Sequence, residues 1–286
     1  MKRYKRVKFA SILGIIGNIF LFIIKLIISF ITGSNAMIAD TFNSGGDILS
    51  SFITFFGNKI ASKPCDDDHN LGHGKAEYIY SMLISEIIIL SFVIIFKNSI
   101  INLMTNAKYY FSFWMIIICI ITIIVKLILF IVTNRIAKEE NNLLMDANSK
   151  DHINDVIITL LNLVSIIFAY YNIYYLDSIA AIIISIIIII SSLKIFIKSY
   201  DILMDKAISN DIKNEVLKII NSHNEIKGIQ HFNSTPVGYK YQISFTIFVD
   251  GNLTTHESHE IADKLEKEIN NKINEIYLTV IHVNPL

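Results

Sequence analysis

Apolar residues fall in six long runs between the N-terminus and about Ile197, covering about Phe9–Ile31, Asn35–Ile60, Glu77–Leu103, Tyr109–Thr133, Asp146–Tyr170 and Tyr174–Ile197. At ~1.5 Å of rise per residue, each run as a helix is long enough to cross a hydrocarbon core of ~30 Å. The first is too long for the apolar stretch of a secretion signal and lacks a small-residue cleavage site, so it predicts a retained helix. Gly33-Ser34 makes a tight turn, and residues 61–76 form a polar loop before the third run. Beyond Lys198 the pattern changes. Between Asn210 and Ser222, Ile212, Val216, Leu217 and Ile220 share one face of a helix. Lys227–Phe232 and Tyr239–Asp250 read as strands, the second closing on the turn dipeptide Asp250-Gly251. Thr254 or Thr255 caps a helix to about Asn271, and Glu275–Val283 is a last strand. The order αββαβ suits one sheet covered by two helices. The expected fold is therefore a mainly α membrane protein: six transmembrane helices over 1–205, then a small α+β domain over 206–286.

Composition agrees, since 53% of the 286 residues are hydrophobic, which fits a polytopic membrane protein better than a soluble one. Acids and bases balance at 25 each, so net charge singles out no partner, and no nucleic-acid partner is expected. The two cysteines, Cys65 and Cys119, make no disulfide framework. The distribution of basic residues says more than their sum. Lys2, Arg3, Lys5, Arg6 and Lys8, then Lys59, Lys63 and Lys75, then Arg135, Lys138 and Lys198 collect on one side; Lys97 and Lys108 lie on the other. The first side reads as cytoplasmic and holds both termini, the 61–76 loop and the α+β domain.

Polar residues inside the runs mark the candidate chemistry, because ionisable groups at membrane depth are costly. The second run carries Asp40, Asn43 and Asp47 at i, i+3 and i+7, one face of a helix. The fifth opens with the related pattern Asn148, Asp151, Asp155. Asn43, Asp47, Asp151 and Asp155 together offer an amide oxygen and three carboxylates, an all-oxygen cation site between two helices. Measured at ~1.5 Å per residue, Asn43 and Asp47 lie roughly 12 and 18 Å below the outer boundary, and Asp151 and Asp155 roughly 8 and 14 Å above the inner one. Antiparallel helices would bring the pairs together near the midplane. His152 points about 100° from the Asp151/Asp155 face and is not expected as a ligand. Gly45 and Gly46 would let helices approach closely or bend. Lys25, Glu86, Lys97 and Lys126 either snorkel or pair across helices, Glu86 with Lys126 being one such pair.

Outside the runs, Asp66, His69 and His73 gather carboxylate and imidazole ligands suited to a divalent transition metal in one short loop. In the α+β tail, His256 and His259 open the second helix, while His223, His231 and His282 are dispersed.

These residues together resemble the cation diffusion facilitators, exporters of divalent metal ions, over nearly the whole chain. The second run matches S-x-A-x-x-A-D-x-x-[HDN]-S-x-x-D from Ser34 to Asp47, the fifth matches [HD]-x-x-x-D at Asp151 and Asp155, and the loop matches D-x-x-H-x-x-G-H-G-K-A-E from Asp66 to Glu77. The resemblance implies six spans and a ferredoxin-like cytoplasmic domain, a homodimer, exchange of metal for protons, and a second metal site at Asp66, His69 and His73. It also implies a cytoplasmic metal site, of which His259 and His282 are kept, while Gln230, Ser244 and Asn284 stand where other ligands are expected. Lys75 is placed to pair with Asp205 below the sixth span. Zinc-transporting members place histidine at one or both of the positions filled here by Asn43 and Asp151. Oxygen ligands suit manganese better than imidazole does. The expected activity is Mn²⁺/proton antiport by alternating access, with the site carboxylates carrying the protons; Fe²⁺ or Zn²⁺ efflux by the same fold is the alternative cargo. A membrane-anchored metal sensor working through its αββαβ domain is the alternative of a different class. No cofactor is expected beyond the transported ion. Nor is an enzyme, since no Ser-His-Asp arrangement, phosphate loop or cofactor fingerprint is present. The expected location is multi-pass in a bacterial plasma membrane, both termini cytoplasmic.

Overall fold

The computed structural model describes residues 2–61, 63–140 and 143–286. The basic N-terminal side chains and Lys59, which entered the orientation argument, lie outside the side chains it describes, as does Asp146. Six long helices come first: α1 (Lys2–Thr32), α2 (Asn35–Ala61), α3 (Ala76–Met104), α4 (Phe113–Glu140), α5 (Leu143–Tyr170) and α6 (Tyr175–Leu203). Then follow α7 (Asn210–Asn221), β1 (Gly228–Val237), β2 (Lys240–Val249), α8 (Thr255–Lys272) and β3 (Ile276–Pro285). Among the described residues, five of these long helices are apolar and long enough to cross a membrane. Across residues 35–49, the described side chains of α2 include the polar Asp40, Asn43, Ser44 and Asp47. The fourth run starts later than its hydropathy suggests, since Tyr109–Ser112 precede α4 in non-helical backbone.

The chain forms two compact units, one of residues 1–52 and 83–195 and one of residues 53–82 and 196–286. In the first, Ala39, Phe92, Ile95, Ile158, Ile184 and Ile188 join α2, α3, α5 and α6 in one buried cluster. A second cluster around Ile28, Met37, Met115, Cys119 and Ile166 draws in α1 and α4. Ala36 meets Ala180 and Ala181, small side chains that let α2 and α6 approach. Outward faces carry exposed Ile16, Phe30, Ile94, Ile131 and Ile190, the reverse of a water-soluble bundle. The first N–H groups of α2 have no partner within their own helix; Asp177 of α6 accepts from the Asn35 N–H at 2.8 Å and from the Ser34 hydroxyl, while Ser34 Oγ accepts from the Met37 N–H at 3.1 Å. Gly45 faces Phe22 of α1 closely enough that a Cβ there would lie 3.0 Å from the ring. Glu86 and Lys97 lie on exposed faces of α3.

In the second unit the three strands lie in the order β1-β2-β3, β1 antiparallel and β3 parallel to β2. Val216, Ile220, Ile243, Ile247, Leu265 and Ile269 form its core, from α7, β2 and α8. Thr254 is the N-cap of α8 and forms a reciprocal capping box with Glu257. The first strand is longer than its pattern suggests. Between Gln230 and Asn233 the register slips against β2, with His231 at φ +52°, and this bulge breaks the alternation that would have revealed the strand continuing to Val237.

Candidate functional site

Asp40, Asn43 and Asp47 occupy one face of α2, and Asp151 and Asp155 one face of α5. The two helices meet through the Asn43 amide, whose Nδ2 donates to Asp155 Oδ1 at 2.8 Å. A residue of α4 completes the cluster. Lys126 Nζ donates to Asp155 Oδ2, donates to Asn18 Oδ1 of α1 at 2.8 Å, and lies 3.6 Å from Asp47 Oδ2. The Lys126 side chain is 1% exposed, that of Asp155 9%, and that of Asp47 33%. Asp151, one turn before Asp155, is exposed. The cluster is thus buried at Lys126 and Asp155 and opens along Asp47 and Asp151. Asp47, Asp151 and Asp155 do not close on a single ligand point; the Lys126 ammonium takes the space between Asp155 and Asp47. The pairing of Lys126 with Glu86 is not formed, because the carboxylates of α2 and α5 are the partners its ammonium reaches. His152 is buried, and its Nδ1 has no hydrogen-bond partner among the described residues.

Asp40 belongs to a different arrangement. Its Oδ1 meets Lys25 Nζ of α1 at 2.8 Å, and its Oδ2 accepts from Asn162 at 3.3 Å and Thr159 at 3.4 Å. Lys25 also donates to Ser44 Oγ at 3.2 Å. Lys25, Asp40, Ser44, Thr159 and Asn162 are all buried. Neither lysine was assigned to a site from the sequence. The available signal was position: Lys25 and Lys126 sit well inside apolar runs, where a lysine without an opposite charge would be costly.

The loop holds the second candidate cluster. Asp66, His69 and His73 each offer a ligand atom, and these atoms lie within 4.8 Å of one another; no other such group of three or more occurs among the described residues. The backbone shapes it: the His69 N–H donates to Asp66 Oδ1 at 2.7 Å and Gly72, at φ +76°, turns the chain back so that its N–H meets His69 O at 2.8 Å. His73 Nε2 lies 3.5 Å from Asp66 Oδ2. The His69 backbone N–H, foremost, and the two imidazoles hold the Asp66 carboxyl below its ordinary range. The loop comes close to the sheet at Gly74. A Cβ on Gly74 would lie 2.6 Å from the Cα of Gly238, the φ +63° residue of the β1–β2 turn. Next to it, Lys75 Nζ meets Asp205 Oδ1 at 2.6 Å. His259 and His282 are both exposed and belong to no such cluster among the described residues.

The comparisons with known proteins agree with this architecture. A family model described as the cation efflux transmembrane domain matches residues 11–204, and one described as the cation efflux protein cytoplasmic domain matches residues 208–286. The manganese efflux system protein MneP of Bacillus subtilis (strain 168) is 25% identical over 96% of this chain and 95% of its own. The cation-efflux pump FieF of Shewanella oneidensis is 25% identical over 90% of this chain and 87% of its own. Among solved structures, the metal-bound C-terminal domain of the CzcD transporter from Thermotoga maritima is 27% identical, covering 26% of this chain and 87% of its own, with a TM-score of 0.26.

Proposed function

The chain belongs to the cation efflux family, and on that premise we propose that it exports Mn²⁺ in exchange for protons through the Asn43–Asp47–Asp151–Asp155 cluster. The observation that carries the reading is the chemistry of that cluster. An amide and carboxylates line it, with the Lys126 ammonium between Asp155 and Asp47, and it sits inside an apolar bundle with one open side. Hard oxygen donors favour manganese and magnesium over the later transition metals, for which selectivity must otherwise come from geometry. MneP, a manganese efflux protein by name, supports the same cargo. In this reading Asp47, Asp151 and Asp155 bind the ion, Asn43 is a neutral ligand, and the carboxylates take up protons when the ion leaves. The transport domain spans residues 1–205 and the cytoplasmic domain 206–286. The protein acts as a homodimer in a bacterial plasma membrane with both termini in the cytoplasm. Asp66, His69 and His73 hold a resident divalent ion beside the β1–β2 turn, where the Gly74–Gly238 contact and the Lys75–Asp205 pair fix the loop.

The test is uptake of Mn²⁺, Fe²⁺ and Zn²⁺ into reconstituted vesicles under an imposed pH gradient, for the wild type and Asn43→His. Mn²⁺ uptake that follows the gradient, shifting toward Zn²⁺ in the variant, is the expected result. Zn²⁺ preferred by the wild type, or uptake indifferent to the gradient, would overturn the corresponding part.

A further inference from the structure

We propose that Lys126 is the transport site's own exchangeable cation: its ammonium bridges Asp155 and Asp47 when no metal ion is bound, and an incoming divalent ion displaces it toward Asn18. The inference rests on the reading of this cluster as the transport site.

Three observations lead to it. First, the ammonium lies between the two carboxylates that α2 and α5 contribute, bonded to Asp155 Oδ2 and 3.6 Å from Asp47 Oδ2. A metal ion joining α2 to α5 needs the same oxygen lone pairs, so ion and ammonium are alternatives there. Second, Lys126 has somewhere to go. Asn18 Oδ1, 2.8 Å from Nζ on α1, is a neutral acceptor that retains one hydrogen bond when the carboxylates are given up. The ammonium therefore need not be left bare in the bundle, where an unpaired charge would be expensive. Third, the bundle holds a lysine arranged otherwise. Lys25 meets the single carboxylate of Asp40, which Asn162 and Thr159 also engage, and all of these groups are buried. Lys126 instead faces an acidic cluster with an open edge: the Asp47 side chain is one-third exposed, although its Oδ2 toward Lys126 is buried, and Asp151 is exposed, so an ion can approach along these two side chains.

A tethered cation of this kind sets affinity and turnover in opposite directions. A nearby positive charge opposes the binding of a second cation, so the ion is held less tightly than the carboxylates alone would hold it. The same ammonium re-forms its bonds as the ion departs and so assists release. Lys126 is then a specificity- and rate-determining group that is not itself a ligand.

The experiment is Mn²⁺ titration calorimetry on the detergent-purified full chain, paired with KM and kcat for Mn²⁺ uptake in vesicles. The proteins compared are the wild type, Lys126→Met, Lys126→Arg and Asp47→Ala. The binding event lost in Asp47→Ala identifies the membrane site. At that site Lys126→Met is expected to bind Mn²⁺ ~10-fold or more tighter, with KM and kcat both reduced. Lys126→Arg, whose guanidinium can clamp a carboxylate with two parallel hydrogen bonds, is the stronger competitor and is expected to bind Mn²⁺ roughly 3-fold or more weaker. Unchanged or weaker binding in Lys126→Met overturns the inference, as does unchanged or tighter binding in Lys126→Arg. The arginine variant decides alone should the methionine variant fail to fold. If Asp47→Ala loses no binding event, the transport-site reading falls and takes this inference with it. If Asp47→Ala loses one and the Lys126 variants leave it unaltered, only this inference falls.

Discussion

Lys25 and Lys126 are both 1% exposed in one apolar bundle, and both meet an aspartate, yet their surroundings are opposite. Lys25 and Asp40 share neutral neighbours, Ser44, Thr159 and Asn162, and every member of the group is buried. Lys126 meets Asp155 and Asp47 beside Asp151, in a cluster with an exposed edge. An ion pair whose spare hydrogen-bonding capacity is filled by amides and hydroxyls has nothing left to offer a third charge, and it fixes the helices that carry it. A pair set among surplus carboxylates with an open side can exchange its cation. The same two residue types thus serve as a rivet in one place and as a seat in the other, and the neighbours decide which.

Several substitutions separate the two. The largest effect is expected at the open cluster: Asp155→Ala should abolish Mn²⁺ uptake, a loss of ~100-fold or more, with the fold retained by gel filtration and circular dichroism, while binding at the loop persists. Removing two ligand oxygens and the partner of Asn43 and Lys126 leaves no site to fill. At the closed pair the effect should fall on stability. Lys25→Met strands the buried Asp40 carboxylate, at a cost of about 3–5 kcal/mol, read as a lowered thermal midpoint. The double variant Lys25→Met/Asp40→Asn should recover much of that, since an uncharged pair leaves no bare ion behind; recovery of transport together with stability would confirm Asp40 as structural. Ser44→Ala, which removes one acceptor from Lys25, should cost about 1 kcal/mol. The smallest effect belongs to an exposed pair elsewhere. Lys75→Ala breaks the contact with Asp205, whose side chain is 53% exposed, and should alter stability by about 1 kcal/mol or less. A larger loss there would mean that the pair acts with the Gly74 contact as one unit.

Much of this architecture could be read from spacing alone. The length of the apolar runs gives the helices, and the 3.6-residue period puts Asp40, Asn43 and Asp47 on one face of α2. The turn signal at Asp250-Gly251, the cap at Thr254 and the αββαβ order give the tail. What spacing does not carry is contact between distant segments that have no motif of their own. Lys126 stands in the apolar stretch of α4 and looks, in sequence, the same as a lysine that snorkels. The cap that Asp177 places on α2 joins residues about 140 positions apart. The bulge at His231 hid half of β1 because a single inserted residue inverts the alternation on which strand reading depends. The roles of His259 and His282 depend on neighbours that the sequence does not supply, and no metal-holding group among the described residues includes either.

The approach of Gly74 to Gly238 has a consequence that belongs to genetics. A side chain on Gly74 would meet backbone, and Gly238 has a positive φ that side chains rarely adopt, so neither residue can be enlarged to make room for the other. Most contacts in a protein can be exchanged pairwise, a larger residue here for a smaller one there, and lineages drift along such swaps. This one cannot. A defect caused by Gly74→Ala should never be suppressed by a change at Gly238. Revertants should restore the glycine or arise in the segments that carry the loop and the hairpin, so a suppressor screen would map how the two are held together.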